Sequence, residues 1–139
     1  MAFLIRTIDF TAAGREIVRT REVSADVVTV GRAATNTVHL PDLAVEQEHV
    51  RITATPSGAL ALEAVGTLGF TLDGRQVTSA QVDPAKGGEL GLGSYRLSFG
   101  LEDGALVITV RQRVDDEGEG KDRLRGFSLA SAMPGKRAL

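Results

Sequence analysis

The sequence predicts an all-β domain, and three features predict it. Short runs rich in Val, Ile, Leu and Phe alternate with polar residues at a period of two. Turn signals such as Asp-Gly, Gly-Gly and Pro-Ser-Gly separate these runs. No stretch before residue 115 carries a helical apolar period. Many short antiparallel strands in about 113 residues build a β-sandwich or a barrel, and sixteen glycines suit so many turns.

Residues 3–10 alternate Phe3, Ile5, Ile8 and Phe10 around Arg6 and Asp9, and residues 11–14 form a turn ending in Gly14. Residues 16–23 set Ile17 against Arg19 and Arg21, the pattern of an edge or half-exposed strand. Residues 27–30 are β-branched and lead into Gly31-Arg32. A polar loop, a short extended piece at 38–40 and a second loop at 41–48 follow. Residues 49–55 alternate His49, Arg51 and Thr53 against Val50, Ile52 and Ala54. Pro56-Ser57-Gly58 turns the chain into a strand at 59–65. Runs 70–72 and 75–77 flank Asp73-Gly74, a tight-hairpin signal because Gly accepts positive φ. Strands at 89–92 and 95–99 follow, and Asp103-Gly104 turns into 105–113, the most β-prone run. The expected total is eleven strands.

Beyond Arg113 the composition changes. Residues 115–120 read DDEGEG, acidic and broken by glycine. The expected division is a domain over residues 1–114 and a C-terminal tail over 115–139, or a linker to a further region of a longer chain.

The chain has 139 residues, enough to bury a core without disulfides or metals. It has no cysteine, which removes disulfide and thiolate chemistry and fits a cytoplasmic location. Sixteen basic and eighteen acidic residues give a formal charge of −2, so there is no electrostatic case for nucleic acid. No apolar run reaches the roughly twenty residues of a membrane span. The N-terminal run is too short for a secretion signal, being interrupted by Arg6 and Asp9.

Residues 31–52 resemble the signature of forkhead-associated (FHA) domains: Gly-Arg, an Asn, an apolar pair, an acidic loop, Ser-Arg-x-His and a strand. Gly31, Arg32, Asn36, Val38, Leu40, Asp42 and His49 match it. Downstream, GFTLDG at 69–74 is similar to the family's Gly-Thr-Phe-Val-Asn-Gly hairpin, and GGELGLG at 87–93 to its Gly-Asp-x-Ile-x-Leu-Gly run. The resemblance spans about residues 3–112. It implies an eleven-stranded antiparallel β-sandwich of SMAD/FHA type and a signalling module that holds phosphothreonine peptides in loops at one end.

A phosphate carries about −1.5 to −2 charge and needs cationic and neutral donors. The resemblance implies such donors at Arg32, at the Ser and Arg positions held here by Glu46 and Gln47, and at a hairpin Asn position held here by Asp73. Phe70 replaces the Thr at the hairpin head, while Gly31, His49 and Gly74 take structural positions. Exchanging Ser for Glu46 removes a donor and adds a like charge. A hydrogen bond to a charged group contributes about 1.5–3 kcal/mol. A like charge at about 4 Å costs roughly 1–4 kcal/mol. The expectation is a degenerate site in which Arg32 either pairs with Glu46 or Asp73 or stands free in the cleft.

The reading that follows is a non-enzymatic protein–protein interaction module. Its partner is a protein or peptide, phosphorylated or not, met through Arg32, Asn36, Glu46, Gln47 and Asp73; the acids of this face lead us to expect a basic or neutral surface rather than a phosphate. One alternative is a working phosphothreonine reader with donors from Gln47, Thr35, Thr37 or the backbone. Another is a structural or regulatory domain of a larger chain. No cofactor or metal is expected. His39 and His49 fall on different elements, and Asp42, Glu46 and Glu48 lack the spacing and Gly turn of a calcium loop. The glycines at 87–93 precede no helix, so they are no phosphate loop. Ser94 and Ser98 have no base, so nucleophilic catalysis has no support.

Overall fold

Strands form where the alternation places them, with one addition. The computed structural model describes residues 2–112. Among these there are twelve strands and no helix. In chain order they are β1 (Ala2–Phe10), β2 (Glu16–Ser24), β3 (Val27–Gly31), β4 (Val38–His39), β5 (Val50–Ala54) and β6 (Leu60–Ala64). Then come β7 (Phe70–Leu72), β8 (Arg75–Val77), β9 (Ser79–Val82), β10 (Gly88–Leu92), β11 (Tyr95–Glu102) and β12 (Ala105–Gln112). The tail expected over 115–139 lies outside the described residues.

The strands form a seven-stranded sheet, β2-β1-β12-β11-β10-β7-β8, and a five-stranded sheet, β4-β3-β5-β6-β9. Their inner faces share one core. Val28, Val30, Ile52 and Leu62 face Phe3, Leu90, Leu97 and Ile108 across it, all fully or nearly fully buried. Burying a side chain of this size stabilises the fold by about 1.5–3 kcal/mol.

Two expectations are corrected. The expected count of eleven strands misses β9, whose Ser79, Ala80 and Gln81 are poor strand formers; it is a strand because it pairs with β6. The sheets are also mixed rather than antiparallel throughout, since β1 pairs with β12 and β3 with β4 in parallel. Such pairings join segments distant in sequence or separated by a folded loop, and no local pattern encodes them. The hairpin at Asp73-Gly74 forms as expected, with φ of 51° and 85° at its two central residues.

Register decides which loops meet. Val30 pairs with Val50 and Val50 with Ala64, so loops 31–37, 40–49 and 65–69 leave the five-stranded sheet at one end. Gly91 pairs with Thr71, Leu92 with Tyr95 and Tyr95 with Gln112. The start of β7, the β10–β11 turn and the end of β12 therefore close the same end of the other sheet. This end is called apical below.

Candidate functional site

The apical face is built on Gly31. A Cβ there would collide with the Gln47 carbonyl oxygen and lie 2.8 Å from Asn36 Nδ2, so only glycine lets the two loops close on β3. The Arg32 N–H donates to the Glu46 carbonyl (2.9 Å) and the Ala33 N–H to the Gln47 carbonyl (3.1 Å). Asn36 Nδ2 donates to both the Ala33 carbonyl (2.8 Å) and the Gln47 carbonyl (2.6 Å). Asn36 thus staples the first loop to the second and points its amide inward. Thr29 and Thr37 exchange backbone-to-hydroxyl bonds at 3.0 and 3.2 Å, which commits the Thr37 hydroxyl to the scaffold.

His49 is the inner pin. It is 2% exposed. Its Nδ1 accepts from the Glu46 N–H (3.0 Å), and its Nε2 lies 2.8 Å from the Gly69 carbonyl. Because Nδ1 faces a donor, the proton sits on Nε2 and donates to Gly69. One ring therefore ties loop 40–49 to loop 65–69. Exposed His39 on β4 takes no part. Among the described residues no three His, Asp or Glu converge as metal ligands would.

Arg32 is neither neutralised by an acid nor wholly unengaged. Its Nε donates to the Val45 carbonyl (3.0 Å). With its amide oxygen turned inward, Gln47 accepts from Nη1 and Nη2 at 3.3 Å each. Among the described residues Arg32 has no carboxylate partner, so the internal salt bridge with Glu46 or Asp73 does not form.

The reason is where those acids are spent. Glu46 turns its carboxylate to loop 65–69, accepting from the Leu68 N–H (3.0 Å) and the Thr67 N–H (3.4 Å). The Leu68 N–H, and then that of Thr67, hold its carboxyl below the usual carboxylate range. Gly66 has no Cβ because one would run into this carboxylate. Asp73 lies at the other end of β7, about 10 Å along the chain at 3.3 Å per residue from Phe70. There its Oδ1 accepts from the Glu89 N–H (3.0 Å). The structure brings Arg32, Asn36, Glu46 and Gln47 together and leaves Asp73 and Gly74 outside the group.

The remaining acids of the loops are also committed. Glu48 pairs with Arg51 at 3.4 Å. Asp42 accepts from the Ser94 N–H (2.8 Å), the Ala44 N–H (2.9 Å) and the Ser94 hydroxyl (2.7 Å). These bonds, that from the Ser94 N–H foremost, hold its carboxyl below the usual range. Gly93, at φ +57°, lies so close that a Cβ would be 2.6 Å from Asp42 Oδ2.

Residues 66–68 were missed in the sequence. They meet Glu46 only through the fold, although the framing glycines Gly66 and Gly69 mark a loop in close contact. Leu68 and, at 91% exposure, Leu43 rise beside this face. A cleft of about 270 Å³ opens between Ala44, Leu68 and Gly93 and runs toward Thr71 and Arg96.

The FHA domain model matches residues 28–93. The FHA domain of CT664 from Chlamydia trachomatis is 18% identical over 75% of this chain and 94% of that one, with a TM-score of 0.52. Rad53 of S. cerevisiae, residues 1–466 with AMP-PNP, is 23% identical over 78% of this chain and 29% of that one, at 0.51. Mycobacterium tuberculosis EmbR in complex with a low affinity phosphopeptide is 13% identical over 81% of this chain and 24% of that one, also at 0.51. These likenesses establish the fold. No curated protein sequence matches the chain.

Proposed function

This chain carries an FHA domain, and on that premise we propose that it is a non-enzymatic protein-interaction module. It docks a peptide on the apical face around Arg32, with a weakened grip on phosphothreonine. The observation that carries this reading is Glu46. Its carboxylate takes the Leu68 and Thr67 N–H groups, donors that an incoming anion would otherwise find, and adds a fixed negative charge. The Leu68 N–H, which holds the carboxyl below the usual carboxylate range, keeps that charge in place at neutral pH.

The partner chemistry is redrawn by the same geometry. An acid-lined face, which would favour a basic partner, is absent here. Asp73 is remote, Glu48 is paired with Arg51, and Asp42 is bonded to Ser94. What the face offers is the outer edge of the Arg32 guanidinium and the Gln47 amide. These suit backbone carbonyls and neutral acceptors of an extended peptide.

A second reading, a working phosphothreonine reader, is favoured by one observation: Arg32 has no carboxylate partner among the described residues. Titration of wild type and Glu46→Ser with matched threonine and phosphothreonine peptides separates the two. Wild type is expected to bind both within about threefold. Removing a like charge worth roughly 1–4 kcal/mol at about 4 Å is expected to tighten the phosphopeptide alone by about tenfold or more, 1.4 kcal/mol being tenfold. Micromolar binding of the phosphopeptide by wild type, lost in Arg32→Ala and unimproved in Glu46→Ser, overturns the proposal.

A further inference from the structure

The outer face of the seven-stranded sheet carries a feature that adjoins the apical loops and is built on other side chains. The pairings Gln76–Thr71, Thr71–Gly91, Gly91–Arg96 and Arg96–Arg111 set five residues in one row across β8, β7, β10, β11 and β12. Their chain neighbours Leu90, Leu92, Leu97 and Val110 are buried in the core, so the row itself points outward. Arg96 and Arg111 stand directly opposite each other. Like charges in that position destabilise a sheet. Among the described residues neither has a carboxylate partner.

The donors of the row are aimed and partly unspent. Arg96 Nη1 is held by the Gly93 carbonyl (3.0 Å) and the Tyr95 carbonyl (2.7 Å), which fixes the guanidinium and leaves Nε and Nη2 without an acceptor among the described residues. Gly91 makes room for it, since a Cβ there would lie 3.4 Å from Arg96 Cζ and strike the Thr71 hydroxyl. Thr71, Gln76 and Arg96 all line the cleft of about 270 Å³. At about 4.8 Å per strand the row spans roughly 19 Å, the reach of five or six extended residues. Of the acids on this face, Glu89 sits one row away opposite Ser98, and Glu102 is held by Arg6 at 2.8 Å.

We propose that Arg96 and Arg111, with Thr71 and Gln76 beside them, form an oxyanion site on this face that takes an acidic peptide segment. A planar guanidinium binds a carboxylate or a phosphate by paired N–H bonds, so either group fits. Two cations on a chain of net charge −2 are too few for nucleic acid. Its cations are Arg96 and Arg111, not the Arg32 of the apical loops, although the cleft it borders is shared with Ala44 and Leu68. The sequence places the acidic residues Asp115, Asp116 and Glu117 within six residues of Arg111, and a variant with these three as amides removes any competition from them.

The test is NMR titration of the full chain at low salt, reading the Arg Nε–Hε signals. The probes are three blocked peptides: one of glutamates, one with a single phosphoserine, and one of glutamines. Saturable shifts of the Arg96 and Arg111 signals with either acidic peptide, and none with the glutamine peptide, are expected. The glutamate and phosphoserine arms tell which oxyanion is preferred. Binding is expected to weaken at least fivefold in Arg96→Gln with Arg111→Gln, to persist in Arg32→Ala, and not to weaken when Asp115, Asp116 and Glu117 are made amides. Two results overturn the proposal. One is no saturable shift of these signals in either the wild type or the amide variant. The other is acidic-peptide binding that Arg32→Ala abolishes and the double arginine substitution leaves intact.

Discussion

Replacing His49 by Phe tests whether one buried ring holds the apical loops together. Phe keeps the ring and its packing but loses both polar atoms. The Glu46 N–H then loses its acceptor at 3.0 Å and the Gly69 carbonyl its donor at 2.8 Å. An orphaned buried polar group costs about 1–3 kcal/mol. Both groups are only part-buried, so the lower half of that range applies, and the pair costs roughly 2–4 kcal/mol. For a folded unit of about 110 residues, at about 2.1 cal/mol/K per residue, each kcal/mol lowers the melting temperature by about 4 °C. Thermal melting followed by circular dichroism is expected to show a drop of about 9–17 °C. Amide exchange adds the local readout, because the Glu46 and Leu68 N–H groups are expected to lose protection before the core strands do. A variant melting within about 2 °C of wild type, with the Glu46 amide still protected, would refute the reasoning.

Two further outcomes concern the scaffold. Asp42→Asn is expected to destabilise the domain at pH 7 and to become indistinguishable from wild type in acid. The native carboxyl lies below its ordinary value, so its contribution is present above the unfolded value and lost as pH falls through the native one; urea melts at pH 7 and near pH 2 check it. Gly31→Ala is expected to cost about 1–3 kcal/mol in the same melts, because its Cβ meets the Gln47 carbonyl, part of the backbone, rather than a movable side-chain end.

Much of the scaffold was legible in the residues themselves. Alternation placed eleven of the twelve strands, and Asp73-Gly74 marked a hairpin whose φ values demand those residue types. The strand missed, β9, draws its conformation from β6 and carries little propensity of its own. The site was legible as a set of residue types near Gly31 and only partly as a set of neighbours. Spacing alone gave no means to separate Asp73 from Glu46, since both are acids at family-like positions. Sheet register puts Asp73 at the Glu89 end of β7 and Leu68 at the Glu46 end.

By itself, then, the sequence determined the all-β class, the turns, and the acid at position 46, because period-two burial and turn chemistry act over a few residues. The tertiary structure alone decided what that acid does. Glu46 turns to Thr67 and Leu68 rather than to Arg32, because hydrogen-bond geometry is set between loops that lie some twenty residues apart in the chain and meet only in the fold.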